Sequence, residues 1–158
     1  MLWRQKSIVL RDLRAEDAPR LTRLHGEAFH RGWTDDEFEQ LIASSATLGQ
    51  GAAFSEHGRP CGFVLSRVSG VEAEMLSIVV GSSARRQGVG RALLAGHIDR
   101  LRRRRVRELY LEVDENNRAA LAFYAAFRLV QVGRRSAYYA SSSGGRAAAL
   151  ILRRDLDR

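Results

Sequence analysis

The residues best suited to chemistry in this sequence are Arg85-Arg86-Gln87-Gly88-Val89-Gly90-Arg91. They follow an apolar run, Met75-Leu76-Ser77-Ile78-Val79-Val80, and open a stretch in which Val89, Leu93, Leu94, His97, Ile98 and Leu101 share one helical stripe. The order is strand, short loop, glycine-punctuated helix start. A helix start carries free backbone N–H groups and the positive end of the macrodipole, which together make an anion site. Gly88 and Gly90 lack a Cβ, so a phosphate can approach the backbone, and Arg85, Arg86 and Arg91 add charge and forked donors. The stretch therefore predicts a diphosphate-binding turn; a tight turn with no ligand is the competing reading. It is not the dinucleotide fingerprint, because position 93 is leucine where G-x-G-x-x-G needs glycine, and the P-loop pattern is absent.

Arg85-x-x-Gly88-x-Gly90 after an apolar strand resembles the acyl-CoA signature of the GNAT superfamily of N-acetyltransferases. The segment from Leu109 to Tyr124, LYLEVDENNRAALAFY, resembles that superfamily's next strand and helix. With Arg-Arg-x-x-Tyr-Tyr at Arg134 to Tyr139, the chain is similar to the RimI-type ribosomal-protein-alanine N-acetyltransferases. The resemblance covers nearly the whole chain and is strongest from Glu72 to Tyr139. It implies acetyl transfer from acetyl-CoA, as co-substrate and with no metal, to an amine; in the subfamily this is the N-terminal alanine of a small-subunit ribosomal protein. It implies that Arg85, Arg86, Gln87, Gly88, Val89, Gly90 and Arg91 hold the diphosphate, and that Ile78, Val79 and Val80 offer backbone groups to the pantetheine and the thioester carbonyl. It makes Glu112 the proton acceptor, Asn117 a contact to the CoA arm, and Tyr124 the donor to the departing sulfur. Trp33, Tyr138 and Tyr139 become candidates for the acceptor-peptide side.

The attacking amine must be neutral, and an α-amine with a pKa near 8 needs less help from a base than a lysine near 10.4. Glu112 alternates with Leu111 and Val113, so a half-buried carboxylate with a raised pKa is expected; an ion-paired glutamate at a strand end is the alternative. Asn117 precedes Tyr124 by two helical turns, which puts both near one face. Phe123-Tyr124 as plain core aromatics, Trp33 as a staple over a helix start, and Tyr138-Tyr139 as a plain hairpin are the alternatives. The chain departs from the family in Arg128-Leu129, where Gly-Phe is usual, and in Gly81-Ser82-Ser83. An arginine in the left-handed conformation that the glycine would adopt costs roughly 1 kcal/mol.

The elements that must carry these residues can be traced in order. Ile8 to Leu13 predicts a strand, and Glu16-Asp17-Ala18-Pro19 starts a helix with Leu21, Leu24, Ala28 and Phe29 on its apolar face. Thr34 with Glu37 is a capping box for a second helix ending near Ala43. Strands follow at Gly51 to Ser55, Gly62 to Val68 and Glu72 to Val80, then a helix from Gly88 to Arg102. Arg107 to Val113 is the next strand, Asn117 to Phe127 a helix, and Leu129 to Tyr139 and Ala147 to Arg153 the closing strands. This order predicts one α/β domain over residues 1–158, with a mixed, mostly antiparallel sheet of six to seven strands flanked by four helices.

The chain has 158 residues and a net charge of +8, from 26 basic and 18 acidic residues. Lys6 is the single lysine, so the charge reflects a preference for arginine as much as a partner. Arg102-Arg103-Arg104-Arg105 suits a helix C-terminus. Nucleic acid is disfavoured, since only Arg134-Arg135 beside Tyr138-Tyr139 interleaves basic and aromatic residues. The lone Cys61 excludes an internal disulfide and fits a cytoplasmic protein. His25 and His30 have no further ligand at metal spacing. No apolar run is long enough for a membrane helix. A small-amine acetyltransferase and a non-catalytic acyl-CoA-binding or RNA-binding module are the rival functions.

Overall fold

The computed structural model describes residues 6–136 and 147–157. Its strands are β1 (Val9–Asp12), β2 (Thr47–Ala53), β3 (Gly62–Ser69), β4 (Glu72–Val80), β5 (Glu108–Asp114), β6 (Val130–Arg135) and β7 (Ala149–Asp155). Its helices are α1 (Ala18–Ala28), α2 (Asp35–Ala43), α3 (Val89–Arg103) and α4 (Arg118–Ala126). The strands form one sheet in the order β1-β2-β3-β4-β5-β7-β6. Here β4 and β5 run parallel, and the neighbours on either side pair antiparallel. The expected mixed sheet with flanking helices is therefore the one observed.

Local chemistry accounts for the helix boundaries. Pro19 sits in the first turn of α1, where its missing N–H costs nothing. The Thr34 hydroxyl accepts from the Glu37 N–H at 3.2 Å, and the Glu37 carboxylate accepts from the Thr34 N–H at 2.9 Å, closing the capping box of α2. Arg102 and Arg104 at the end of α3 donate to the carbonyls of Leu156 and Ser45. That arginine run is thus a set of structural donors at a negative helix end.

Two apolar clusters cover the two faces of the sheet. Leu93, Leu94, Ile98 and Leu101 of α3 and Tyr124 of α4 pack with Val64, Met75, Leu109 and Leu111. Leu21 and Leu24 of α1 and Phe38 of α2 pack with Phe63, Leu65 and Val79 on the other face. Each fully buried aliphatic or aromatic side chain here contributes roughly 1.5–3 kcal/mol.

Three strands differ from expectation, among them β6, which spans Val130–Arg135 and not Leu129 to Tyr139, with Ser136 outside it. β2 begins at Thr47, four residues before the expected start at Gly51. Gly49 lies within the sheet opposite Leu65, and a Cβ there would meet the Leu65 side chain at 2.6 Å, so the close approach requires glycine. β7 begins at Ala149 and reaches Asp155, because its register is set by antiparallel pairing with the whole of β5. Ala147 and Ala148 are buried without strand pairing. β6 is an edge strand with Val130 and Val132 exposed, which explains its weak alternation. Tyr138 and Tyr139 lie outside the described residues.

β4 is irregular on both of its edges, and this shapes the site. Against β3, Leu65 faces Ser77 while the next residue, Ser66, faces Met75. Leu76 is therefore an extra, bulged residue. Because side chains alternate with a period of two, one extra residue exchanges the faces. Met75 points into the α3 cluster, whereas Val79 points into the α1–α2 cluster and Ile78 and Val80 pack toward α3. Against β5, pairing covers only Glu72, Ala73 and Glu74 opposite Glu108, Leu109 and Tyr110. Beyond that point the two parallel strands separate.

Arg128 adopts φ +62°, where a glycine was to be expected. The helix ends as it would with glycine: the N–H of Leu129 donates to the Tyr124 carbonyl at 3.1 Å, and that of Arg128 to Ala125 at 2.9 Å. α3 ends identically with Arg105 at φ +61°, Val106 donating to Leu101 and Arg105 to Arg102. The closing hydrogen bonds hold arginine in a conformation it disfavours. Arg128→Gly is expected to raise the unfolding free energy by about 1 kcal/mol, read as a higher urea midpoint at unchanged slope. An unchanged or lower midpoint would contradict the assigned strain.

A chain of polar side chains crosses the α3 cluster. His97 Nε2 lies 2.6 Å from Ser66 Oγ, and His97 Nδ1 lies 2.6 Å from Gln50 Oε1. Burial, with the nearby Arg100 charge, pushes the His97 pKa down from 6.5 to about 4. Burial lowers that of His25 as well. A histidine held neutral in the fold gives stability that is whole above the unfolded pKa and is lost as pH falls toward the folded value. For His97 alone, roughly 1.5 kcal/mol should disappear between pH 6.5 and pH 5. Urea unfolding across that interval measures it, and a flat profile would refute the assignment.

Candidate active site

The glycine-punctuated turn expected between β4 and α3 is present, with open donors. A single turn at Ser82–Ala84 leads from β4 into Arg85, Arg86 and Gln87, and Gly88 caps α3. Gly88 has φ +82°, which excludes most other residues at low cost. No side chain caps α3, and its first turn holds no acid. Its initial N–H groups and the positive end of its dipole thus meet no protein anion. Arg85, Arg86 and Arg91 form no ion pair among the described residues. Gln87 donates to the Ser83 carbonyl at 3.2 Å, bracing the turn. A Cβ on Gly90 would lie 3.6 Å from Val80 and 3.7 Å from Phe123. This point joins the end of β4, the turn and α4. Uncapped amides, glycines and three guanidinium groups without an ion pair among the described residues fit a diphosphate.

Next to the turn, the separated edge of β4 carries Ile78, Val79 and Val80, none of which pairs with β5. The Val80 carbonyl accepts from Arg85 Nε at 3.5 Å, and the other edge-facing backbone groups stand opposite a gap, open to an extended ligand. Asn117 is the N-cap of α4, its Oδ1 accepting from the Ala120 N–H at 3.1 Å. That bond fixes the side chain and leaves its amide NH2 as a donor. Tyr124 is 8% exposed, and its hydroxyl forms no hydrogen bond among the described residues. Burial pushes its pKa up to about 12. At neutral pH it is a protonated donor and not a base.

Glu112 departs from expectation. Leu109, Leu111 and Val113 point into the α3 cluster, so Glu112 points to the opposite face. The α1–α2 layer packs over β3 and β4 and leaves this part of the sheet uncovered. The Glu112 side chain is 34% exposed, and its carboxylate forms an ion pair with Arg135 at 3.0 Å. The predicted half-buried carboxylate among apolar neighbours is thus an ion-paired one in a polar cleft. Arg67, Glu72, Glu74, Tyr110 and Arg135 line that cleft with it, around a volume of about 390 Å³. Arg135, Arg67 and Tyr110 were not picked out as partners of Glu112, because only the folded β6–β7–β5 order brings Arg135 to its side. Glu72 and Glu74 mark where β4 last pairs with β5.

Trp33 stacks on His25 at 4.5 Å between ring centroids and meets Phe38 edge-on at 5.4 Å. Its N–H donates to His25 Nδ1 at 3.1 Å. His25 is thus a structural histidine, 3% exposed. Trp33 both packs over α2 and lines a second cleft with Glu37, Gln40, Leu41, Arg67 and the bulged Leu76. Arg67 borders both clefts, one on each side of the β4 bulge. Cys61 is partly buried, and burial raises its pKa, the opposite of what a nucleophile requires. Among the described residues, no cluster of metal-binding side chains occurs and no helix is long and apolar enough to cross a membrane.

Comparison with known proteins gives four findings beside this geometry. The sequence profile of the Acetyltransferase (GNAT) family matches residues 17–127. The [Ribosomal protein bS18]-alanine N-acetyltransferase of Escherichia coli K12 is 37% identical over 98 residues, covering 62% of this chain and 66% of that protein's length. The crystal structure of the ribosomal-protein-S18-alanine N-acetyltransferase from Escherichia coli superposes with a TM-score of 0.86 at 29% identity, over 95% of this chain and 94% of that one. The mycothiol acetyltransferase of Clavibacter sepedonicus is 33% identical over 132 residues, which are 77% of this chain and 43% of that protein.

Proposed function

Because the chain belongs to the Acetyltransferase (GNAT) family, we propose that it moves an acetyl group from acetyl-CoA to the α-amine of a protein N-terminus, with the terminal alanine of a ribosomal protein as the first acceptor to test. The observation that carries this reading is the separation of β4 from β5 beyond Glu74 and Tyr110. It opens a passage through the sheet. On one side stand the amide turn, Asn117 and Tyr124; on the other stands the cleft with Glu112. Donor and acceptor can then approach from opposite faces and meet at the gap.

The residues divide the work accordingly. The turn from Arg85 to Arg91 binds the diphosphate, and the β4 edge at Ile78, Val79 and Val80 aligns the pantetheine arm and polarises the thioester carbonyl through backbone N–H. Asn117 donates to the arm. Glu112 takes the proton of the incoming ammonium, directly or through water, once the amine displaces Arg135. Tyr124 donates a hydrogen bond to the departing sulfur. With a phenol pKa about 12 against a thiol near 8.5, complete proton transfer from Tyr124 is uphill, so the hydrogen bond is its contribution.

The cleft bears Glu72, Glu74 and Glu112 and is open at the surface, which suits a cationic peptide end better than an enclosed small amine. The net charge of +8 repels basic acceptors at long range, so these carboxylates must supply the local attraction. The identity with the mycothiol acetyltransferase keeps a small amine as the rival acceptor. Thiol release from acetyl-CoA, measured with alanine-terminal peptides, blocked lysine peptides and small amines, separates the two. The alanine-terminal peptides should exceed the rest in kcat/KM by at least tenfold; activity confined to small amines would overturn the acceptor assignment. Glu112→Gln should lower kcat/KM for the preferred peptide about 100-fold at pH 7 and less at pH 9, where more of the amine is already neutral. A loss equal at both pH values would argue against its role as base.

A further inference from the structure

We propose that His97 is a positioning residue that sets the separation between the diphosphate turn and the bulged thioester strand. The proposal rests on the acetyl-CoA reading above. α3 begins at the turn, and His97 lies on it roughly 12 Å further along. His97 Nε2 bonds Ser66 Oγ at 2.6 Å. Ser66 is the residue of β3 at which the β4 register jumps, pairing with Met75 just before the extra Leu76. The other ring nitrogen bonds Gln50 of β2 at 2.6 Å. His97 and Ser66 are 0% exposed and Gln50 1%. One buried chain therefore ties the helix that carries the turn to the strand position that faces the bulge.

The surrounding contacts cannot do this alone. Leu93, Leu94, Ile98 and Leu101 hold α3 on the sheet through apolar contact, which is non-directional and tolerates small slides along the strand. A hydrogen bond weakens steeply with distance and angle, so it selects one height of the helix. The arrangement has a cost: Gln50 Nε2 is buried without a partner. Apolar residues at all three positions, 50, 66 and 97, would fill the core with no such penalty. Acetyl-CoA engages the turn and the strand at once, so its productive binding depends on their spacing. A donor that lacks the diphosphate engages only the strand and does not sense it.

The test compares kcat/KM for acetyl-CoA and for acetyl-pantetheine in the full chain. The variants are His97→Leu, His97→Gln, and the triple variant Gln50→Leu/Ser66→Ala/His97→Leu, which leaves no orphaned polar group. In His97→Leu and the triple variant, the advantage of acetyl-CoA over acetyl-pantetheine should fall about tenfold while the acetyl-pantetheine value stays within twofold of wild type. His97→Gln, whose amide reaches the position of Nε2 and keeps the Ser66 bond, should retain the wild-type advantage. An unchanged advantage in every folded variant, or equal losses with both donors, would overturn the proposal and leave a purely structural role. Should the triple variant fail to fold, His97→Leu against His97→Gln makes the same comparison. Wild-type protein that turns over neither donor would instead overturn the acetyltransferase reading itself.

Discussion

Tyr124→Phe will lower kcat about 100- to 1,000-fold and leave the acetyl-CoA dissociation constant within about twofold. The first half follows from the absence of a competing partner for the hydroxyl among the described residues and from its burial, where a single hydrogen bond to developing charge is worth most. The second half follows from packing. Phenylalanine keeps the ring against Phe123, at 5.5 Å between centroids, and leaves the main apolar cluster undisturbed. In the proposed reading, ground-state contacts to the ligand come from the turn, the β4 edge and Asn117, none of which the substitution touches. Stopped-flow or steady-state turnover with calorimetric titration of acetyl-CoA measures both halves. Equal losses in turnover and affinity would remove Tyr124 from the chemistry and return it to the core.

Gly88→Glu will weaken acetyl-CoA binding by at least 100-fold. Two effects add. A side chain at φ +82° carries strain of roughly 1–2 kcal/mol, which is relieved only by moving the backbone that forms the turn. A carboxylate then occupies the positive end of α3, and two unit charges about 4 Å apart at a protein surface repel by several kcal/mol. Gly88→Ala separates the two, carrying the strain without the charge, and should show a smaller loss. Titration with coenzyme A, which needs no turnover, is the direct measurement. Unimpaired binding by Gly88→Glu would move the diphosphate away from the helix start.

Most of the scaffold was legible in the sequence, for identifiable reasons. The limits of β4, the α2 capping box and the starts of α3 and α4 rest on signals within a few residues of one another. The turn proposed to hold the diphosphate belongs to the same class, since loop, glycine and helix start are contiguous. What escaped depends on distant parts of the chain. Glu112 has apolar sequence neighbours, and only the strand order β5-β7-β6 brings Arg135 beside it. The start of β2 at Thr47 was missed because it is set by pairing with Arg67 of β3 and not by a local signal. The Leu76 bulge leaves no mark in composition; it exists only relative to β3. The Arg128 departure was visible as an anomaly, and the structure resolves it by conserving the helix ending and straining the residue.

The exchange of faces at Leu76 also restricts how this chain can change in length. A deletion of Leu76 would let Ser77 follow Met75 directly opposite Leu65 and Ser66, restoring simple alternation while Ile78 and Val80 still face α3 and Val79 still faces α1. One residue added beyond Ser77 would instead send Ile78 and Val80 toward α1 and turn Val79 toward α3, mixing two interiors of different shape. Beyond the bulge only paired insertions keep parity, and they would move the strand end by two residues, roughly 7 Å, relative to α3. The segment can therefore lose one residue at Leu76 without mixing its interiors, and can gain none after it.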